Sequence, residues 1–483
     1  MPLEITEEII ARQSPEAQAI IRALMAQVTE LKAQVVELRT QVVELKAEIL
    51  TLKAELGKQN KTPQNSSLPP STQHPHARPQ PTRTKSKRKR GGQPGHRRHE
   101  RALIPAAECQ EIVTLKPEQC RRCGTPLAGN DECPLRHQVW ELPEIKPIVT
   151  EYQRHRLKCA CCQETTCAPL PPGVPAGMSG PKLVAFVSLL MACFRQSKRR
   201  TALFVESILK IPCCPSLTVK HQNLATAALR PAYEELTAAL PAQPSLNGDE
   251  SPTKQANTKA WLWTFVATTF TVFALRGSRA ATAITELLGE TFAGVMSCDR
   301  AKMYWQCGRL QWCWAHLKRD FQGLIDHSDP QVSRLGSDLM RPTKELFRAW
   351  SRCRDGTLTW QGFQSEMAPI RRQVDSLLLR GYGTAVDGMC RELFGHREWL
   401  WTFLDVHGIE PTNNAAERSL RHAVIWRKLS FGTQSEQGSR FVETMLTVIE
   451  TCRQQDRSVI DHVTRSIRAH FQKQTPPSLL NGA

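Results

Sequence analysis

No stretch of this chain is apolar for long enough to cross a bilayer. The longest apolar run, Leu183 to Phe194, is too short and is followed directly by Arg195. No secretory leader is expected either: before Ser14 the chain carries Glu4, Glu7 and Glu8 against a single base, Arg12. Acid is in short supply throughout, with 46 Asp and Glu against 64 Lys and Arg, for a formal charge of +18. That imbalance excludes a generic neutral surface and points to a polyanionic partner, most simply nucleic acid. The expectation is a soluble protein of the bacterial cytoplasm, associated with the nucleoid. Cysteine is plentiful, at 17 residues. In a reducing compartment these read as metal ligands and small core residues rather than a disulfide framework.

A length of 483 residues predicts several domains. Leu24, Leu31, Leu38, Leu45 and Leu52 recur at seven-residue steps, as do Ile21, Val28, Val35, Val42 and Ile49. β-branched residues at a with Leu at d predict a parallel coiled coil over 15–57, and hence a homodimer or larger assembly. Residues 58–105 form a basic, proline-rich arm. Between Arg78 and Arg101 it holds ten basic residues, among them Lys85, Lys87, Arg88, Lys89 and Arg90, and one acid. A block of this kind stays extended and binds phosphate backbones.

Cys120-Arg-Arg-Cys123 and Cys159-Ala-Cys-Cys162 predict a structural Zn²⁺ site within 106–170, since two thiolate pairs on tight turns close a tetrahedral shell. Cys161 or Cys167 could take the place of Cys162. His137–Glu141 and Ile148–Lys158 read as the strands of a zinc ribbon. Over 178–240 three helices are expected: Lys182–Phe194, Arg199–Lys210 and Ser216–Leu229. The last two suit either a helix-turn-helix, with Lys220, His221 and Asn223 facing DNA, or a plain helical spacer.

After Pro241 the pattern turns to short strands. Two of them, Ser245–Asp249 and Gly294–Asp299, end on a carboxylate; Trp261–Thr268 and Thr271–Arg276 read as a hairpin, and Leu310–His316 as a last strand. Far downstream, Pro411-Thr-Asn-Asn-Ala-Ala-Glu417-Arg opens a helix. Asn414-x-x-Glu417 fits a local capping box. It fits equally a third carboxylate, with Asp249 and Asp299, of a site for two Mg²⁺ or Mn²⁺ ions about 4 Å apart. Arg418, Arg421, Arg427 and Lys428 follow on the same helix as phosphate contacts or as a solvated face. His316 could touch a DNA end or assist a proton transfer, or be a packed core histidine. Between the strands and this helix, 318–405 reads as an all-helical insertion.

Asn-Gly-Asp249-Glu-Ser, Cys313-Trp-Ala-His316-Leu-Lys-Arg319 and Pro411-Thr-Asn-Asn-Ala-Ala-Glu417-Arg resemble the transposases of insertion-sequence family sixty-six. Asn65-Ser-Ser-Leu-Pro-Pro-Ser71, Gly91-Gly-Gln-Pro-Gly-His96, the zipper and the paired CxxC motifs resemble the same family. The resemblance implies a multidomain α+β protein with an RNase H-like core over 244–317 and 406–455, and a tail over 456–483. It also implies an acidic triad of Asp249, Asp299 and Glu417, DNA ends and target DNA as partners, and helper proteins of the same element. Two departures stand out, Ser251 where the family usually has Thr and Arg300 where it usually has Gly. The second sets a bulky cation beside a metal ligand. A non-catalytic regulator, or a nuclease that cuts without joining, are the rival expectations.

Overall fold

The computed structural model describes residues 7–59, 65 and 101–480. Lys85, Lys87, Arg88, Lys89 and Arg90 therefore lie outside the described residues, as do residues 66–71 and 91–96 of the family-like segments. Two compact units are distinguished. One combines Met1–His74, Pro171–Ser197 and Val219–Ala483; the other combines Pro75–Leu170 and Lys198–Thr218.

Two helices begin the chain, α1 (Glu7–Ala11) and the 45-residue α2 (Pro15–Gln59). Leu24, Val28, Leu31, Val35, Leu38, Val42 and Leu45 stand exposed on α2, an apolar stripe that no other described residue covers. The smaller unit carries little regular structure: β1 (Arg156–Lys158) pairs antiparallel with β2 (Thr165–Cys167). The expected strand at 137–141 is absent, and of Ile148–Lys158 only the last three residues are in a strand, because β2 offers a partner to no more than these. The three middle helices are α3 (Pro181–Ala192), α4 (Lys198–Leu209) and α5 (Pro215–Ala238). The last runs past the expected end at Leu229 and carries Pro231 within it.

The larger unit is built on a five-stranded sheet of β3 (Ser245–Gln255), β4 (Thr258–Val266), β5 (Thr271–Arg276), β6 (Val295–Cys298) and β7 (Arg309–Trp312), in the order β5-β4-β3-β6-β7. The first three are antiparallel, and β3, β6 and β7 are parallel. β3 turns into β4 through Ala256 and Asn257, both at positive φ (47° and 63°), as a two-residue hairpin of matching twist requires. After β5 comes α6 (Ala281–Leu288), and β6 is buried along its whole length, as befits a strand covered on both faces.

Two sequence expectations shift here. β3 does not stop at Asp249 but continues to Gln255, because residues 250–255 pair with β4. The expected strand 310–316 ends at Trp312, and α7 (Trp314–Ile325) starts two residues on. Trp314, Leu317, Phe321 and Leu324 are its buried residues, a spacing of three and four that belongs to a helix. His316 thus sits in a first helical turn, not on a strand face. The helical stretch continues through α8 (Pro330–Arg354), α9 (Trp360–Arg380), α10 (Asp387–Gly395) and α11 (Glu398–Asp405). α11 seals the β7 edge: Gln311 Oε1 accepts from Phe403 N at 2.8 Å and Trp314 Nε1 donates to Leu400 O at 2.7 Å. Trp401 is fully buried and packs on Trp314, a core role.

The chain closes with α12 (Asn414–Ser430), α13 (Glu436–Gln454) and α14 (Val459–Phe471). α13 protects the other edge of the sheet. Glu443, Thr447 and Thr451, one helical turn apart, accept from the outward N–H groups of Leu275 (3.1 Å), Phe273 (2.9 Å) and Thr271 (3.1 Å). An edge strand would otherwise present these donors for pairing with another chain. Glu443 is also ion-paired to Arg230 at 2.8 Å, so its buried charge is matched. Thr447→Val leaves the buried Phe273 N–H without an acceptor and should cost about 1–3 kcal/mol in chemical denaturation; an unchanged midpoint would show that the edge is held by packing alone.

Candidate active site

The β3–β6 register ends at Asn247 and Ser297; Asp249 lies two residues further along β3 and Asp299 just past the end of β6, near enough that its charge acts on Asp249. On the opposite face, Tyr304 packs where a Cβ on Gly248 would stand, 3.1 Å from it, and donates to Glu250 Oε2 at 2.7 Å. Glu250 is bound as well by Arg279 Nε at 2.7 Å, although its charge still acts on Asp249.

Glu417 comes from α12, near enough that its charge acts on Asp249, although among the described residues its carboxylate is not gathered with Asp249 and Asp299 into one metal-holding group. Its position is set by contacts between the two most distinctive motifs of the sequence. Trp314 N donates to Pro411 O at 2.9 Å, and Asn413 N donates to Cys313 Sγ at 3.2 Å. Asn413 Nδ2 donates to Gly248 O at 2.7 Å, pinning the start of α12 to the residue before Asp249. The capping box is not formed: the N-cap is Asn413 and makes no side-chain cap bond, while Glu417 Oε1 has no hydrogen-bond partner. Around that oxygen lie His316 Nε2 at 3.5 Å and an Arg319 guanidinium nitrogen at 3.9 Å.

The electrostatics are those of a carboxylate cluster short of counter-charge. Asp249 is held well above the usual carboxylate range, first by burial and then by the charges of Glu250, Asp299 and Glu417. Asp299 is raised by burial against a hydrogen bond from Ala301 N and the pull of Arg279, Arg300 and Arg319. Glu417 is raised by burial and by Asp299, with Arg319, Arg421 and Arg418 opposing. Burial, with Arg319 and Arg300 nearby, pushes His316 down to about 3, so its ring is neutral near pH 7. The oxygen-rich set suits a hard divalent cation, and the unsatisfied Glu417 oxygen is a vacant acceptor for one.

The other expected site residues divide. Arg418, Arg421 and Lys428 are exposed on α12 and free to meet phosphate. Arg427 is not: its guanidinium donates to Ser251 Oγ at 3.0 Å and to Pro252 O, tying α12 to β3. Lys220 and Asn223 are exposed on α5, but His221 is 3% exposed and its Nε2 lies 2.8 Å from Ser179 Oγ, so it packs inward rather than facing a groove. Arg300 turns away from Asp299 to bind Asp320 at 2.8 Å and Glu392 at 3.0 Å, joining the sheet to α7 and α10.

In the smaller unit both CxxC turns take the knuckle form. Gly124 N donates to Cys120 O at 2.9 Å and Gln163 N to Cys159 O at 3.0 Å, with Gly124 and Gln163 at positive φ. Hydrogen bonds from Thr125 and Cys120 bring Cys123 down to about 7, and the N–H groups of Cys162 and Cys161 lower Cys159. Among the described residues, however, Cys120, Cys123, Cys159 and Cys162 are not gathered into one cluster. Residues 127–155 contain no strand to hold the two knuckles together. Sequence reasoning left Asn413, Arg319 and Cys313 without roles; the Cys313-x-x-His316 spacing was the signal available for the last.

For an acid whose native pKa is raised, the stabilising contribution is complete below its ordinary value, 3.8 for Asp and 4.5 for Glu, and is lost as pH rises through the native one. Asp299→Asn should therefore raise the Tm of the metal-free protein at pH 8 by roughly 2–4 °C. It should do little at pH 4, and it should abolish any Tm gain from Mg²⁺. Calorimetry with and without the ion at both pH values checks the sign.

A family model described as "Transposase IS66 family" matches residues 176–440, and a second, described as a family of unknown function, matches 10–102. Among curated proteins, one from Sinorhizobium fredii (strain NBRC 101917 / NGR234), described as "Uncharacterized protein y4qI", is 26% identical over 246 residues, 45% of this chain and 45% of that protein. Another from the same organism, "Uncharacterized protein y4hP", is 23% identical over 402 residues, 72% of this chain and 70% of that protein. The chain thus spans less than half the length of the first relative. Asp249, Asp299, Cys313, His316 and Glu417 all fall within the 176–440 match, which covers more than half of the sequence, and the chain belongs to the IS66 family of transposases.

Proposed function

We propose that the chain cleaves DNA at the ends of an insertion sequence and joins the freed 3′-hydroxyl to target DNA, at a single site formed by Asp249, Asp299 and Glu417. The observation that carries this reading is the convergence itself. One aspartate lies on β3 and the other just past the end of the adjacent parallel β6, and a helix pinned through Asn413 carries a glutamate whose charge, like that of Asp299, acts on Asp249. The strand order β5-β4-β3-β6-β7, three antiparallel and then two parallel, supports an RNase H-like core with the helices after α7 as its insertion.

Asp249, Asp299 and Glu417 would hold Mg²⁺ or Mn²⁺. Such ions would supply charge stabilisation to an in-line displacement at phosphorus. Neutral His316, 3.5 Å from Glu417 Oε1, would help to position that carboxylate. Arg319, one turn along α7, offers a guanidinium to a phosphate oxygen beside the cluster, and exposed Arg418 and Arg421 extend the basic track along α12. The basic arm ahead of residue 101 adds sequence-independent affinity. The stripe on α2 pairs two chains in parallel, so that two DNA ends are held in one assembly; helper proteins of the element would join it.

Terminal-repeat DNA incubated with the protein and Mg²⁺ should yield both nicked and joined products. Glu417→Gln should lower both by about 10³-fold or more, the loss expected for several kcal/mol of transition-state stabilisation, while leaving DNA binding intact. Cleavage retained in Glu417→Gln would falsify the assignment; nicks without joining would make the protein a nuclease. Leu31→Lys with Leu38→Lys should convert the dimer to a monomer in light scattering, and a dimer that survives both would place the interface elsewhere.

A further inference from the structure

Cys313, His316 and Glu417 each present one ligand atom, and the three atoms lie within 4.8 Å of one another, the sole such grouping of His, Cys, Asp and Glu among the described residues. Cys313 is the N-cap of α7 and the N–H of Asn413 lies 3.2 Å from its Sγ; burial pushes the free thiol up to about 11, so it is the bound cation that would draw off its proton. A hydrogen bond of that kind is what orients and tunes a metal-bound sulfur. His316 follows at the C-x-x-H spacing, one turn on, and its Nδ1 has no partner. Glu417 contributes a half-exposed carboxylate whose Oε1 is also unpartnered, leaving the open side of the group to water.

We propose that these three side chains form a second cation site, selective for a thiophilic divalent ion of the Zn²⁺ type, that shares Glu417 with the carboxylate cluster. Sulfur, imidazole and one carboxylate are a borderline-soft set, whereas Mg²⁺ takes oxygen. On binding, the thiol proton is released: Cys–SH and M²⁺ give Cys–S–M⁺ and H⁺. The donors must draw together by about an ångström to reach tetrahedral bond lengths, a movement within the torsions of His316 and Glu417. Glu417 cannot serve both ions at once. Occupancy here therefore withdraws it from the aspartates and switches off Mg²⁺-dependent cleavage, a consequence that rests on the catalytic reading, although the binding does not.

Metal-free full-length protein is titrated with Cd²⁺, following thiolate-to-metal absorption and proton release. The Cys120→Ser and Cys159→Ser double variant should retain one ion that Cys313→Ser loses, with affinity at that site falling about 100-fold or more. His316→Ala, which keeps the thiol, should weaken the same ion and guards against misfolding of the Cys313 variant. Equal stoichiometry and affinity in all of these proteins would overturn the site. A protein that binds this ion yet never cleaves DNA would overturn the catalytic reading and leave the site standing; one that cleaves yet holds no Cys313-dependent ion would overturn the site alone.

Discussion

Three hydrogen bonds between two distant motifs hold the larger unit in its working form. Trp314 N to Pro411 O, Asn413 N to Cys313 Sγ and Asn413 Nδ2 to Gly248 O bring the β7–α7 elbow, the loop before α12 and the middle of β3 to one point. All three are buried, so each would leave a costly orphan if broken. Without them Glu417 would still open a helix, but the start of α12 would lose its anchor to β3, leaving Arg427 to tie only its far end.

The sheet supplies the other half of the constraint. Parallel pairing of β3 with β6 brings the chain positions just before Asp249 and Asp299 side by side, and that pairing is sheltered by closing both sheet edges. α11 closes one edge through Gln311, and α13 closes the other through Glu443, Thr447 and Thr451. The helical stretch after α7 is therefore part of the scaffold and not an appendage. Arg300 is ion-paired to Asp320 and Glu392, while its charge still opposes the rise in the Asp299 pKa.

Burial raises the pKa of all three carboxyls, and repulsion from neighbouring acids adds to it at Asp249 and Glu417. Such an arrangement is unfavourable for folding by itself and becomes favourable when a cation is bound. Charge elsewhere is spent differently: Arg427 is consumed in holding α12 to β3, while Arg418 and Arg421 remain exposed.

Much was legible in local pattern. The heptads of α2, the hairpin of β4 and β5, the short β6 ending before Asp299 and the helix carrying Glu417 all follow from periodicity and turn chemistry, which act between near neighbours. Long-range partners decided the rest. β3 outran its expected end because β4 pairs with it. The segment 313–316 became helical because Cys313 caps α7 and Trp314 finds a core under α11. His221 and Arg427 were drawn inward by contacts that only packing creates, and the two cysteine knuckles formed without meeting. The sequence by itself determined which side chains could do chemistry; tertiary structure decided which of them meet, because hydrogen bonds across a hundred residues depend on a register that no local window contains.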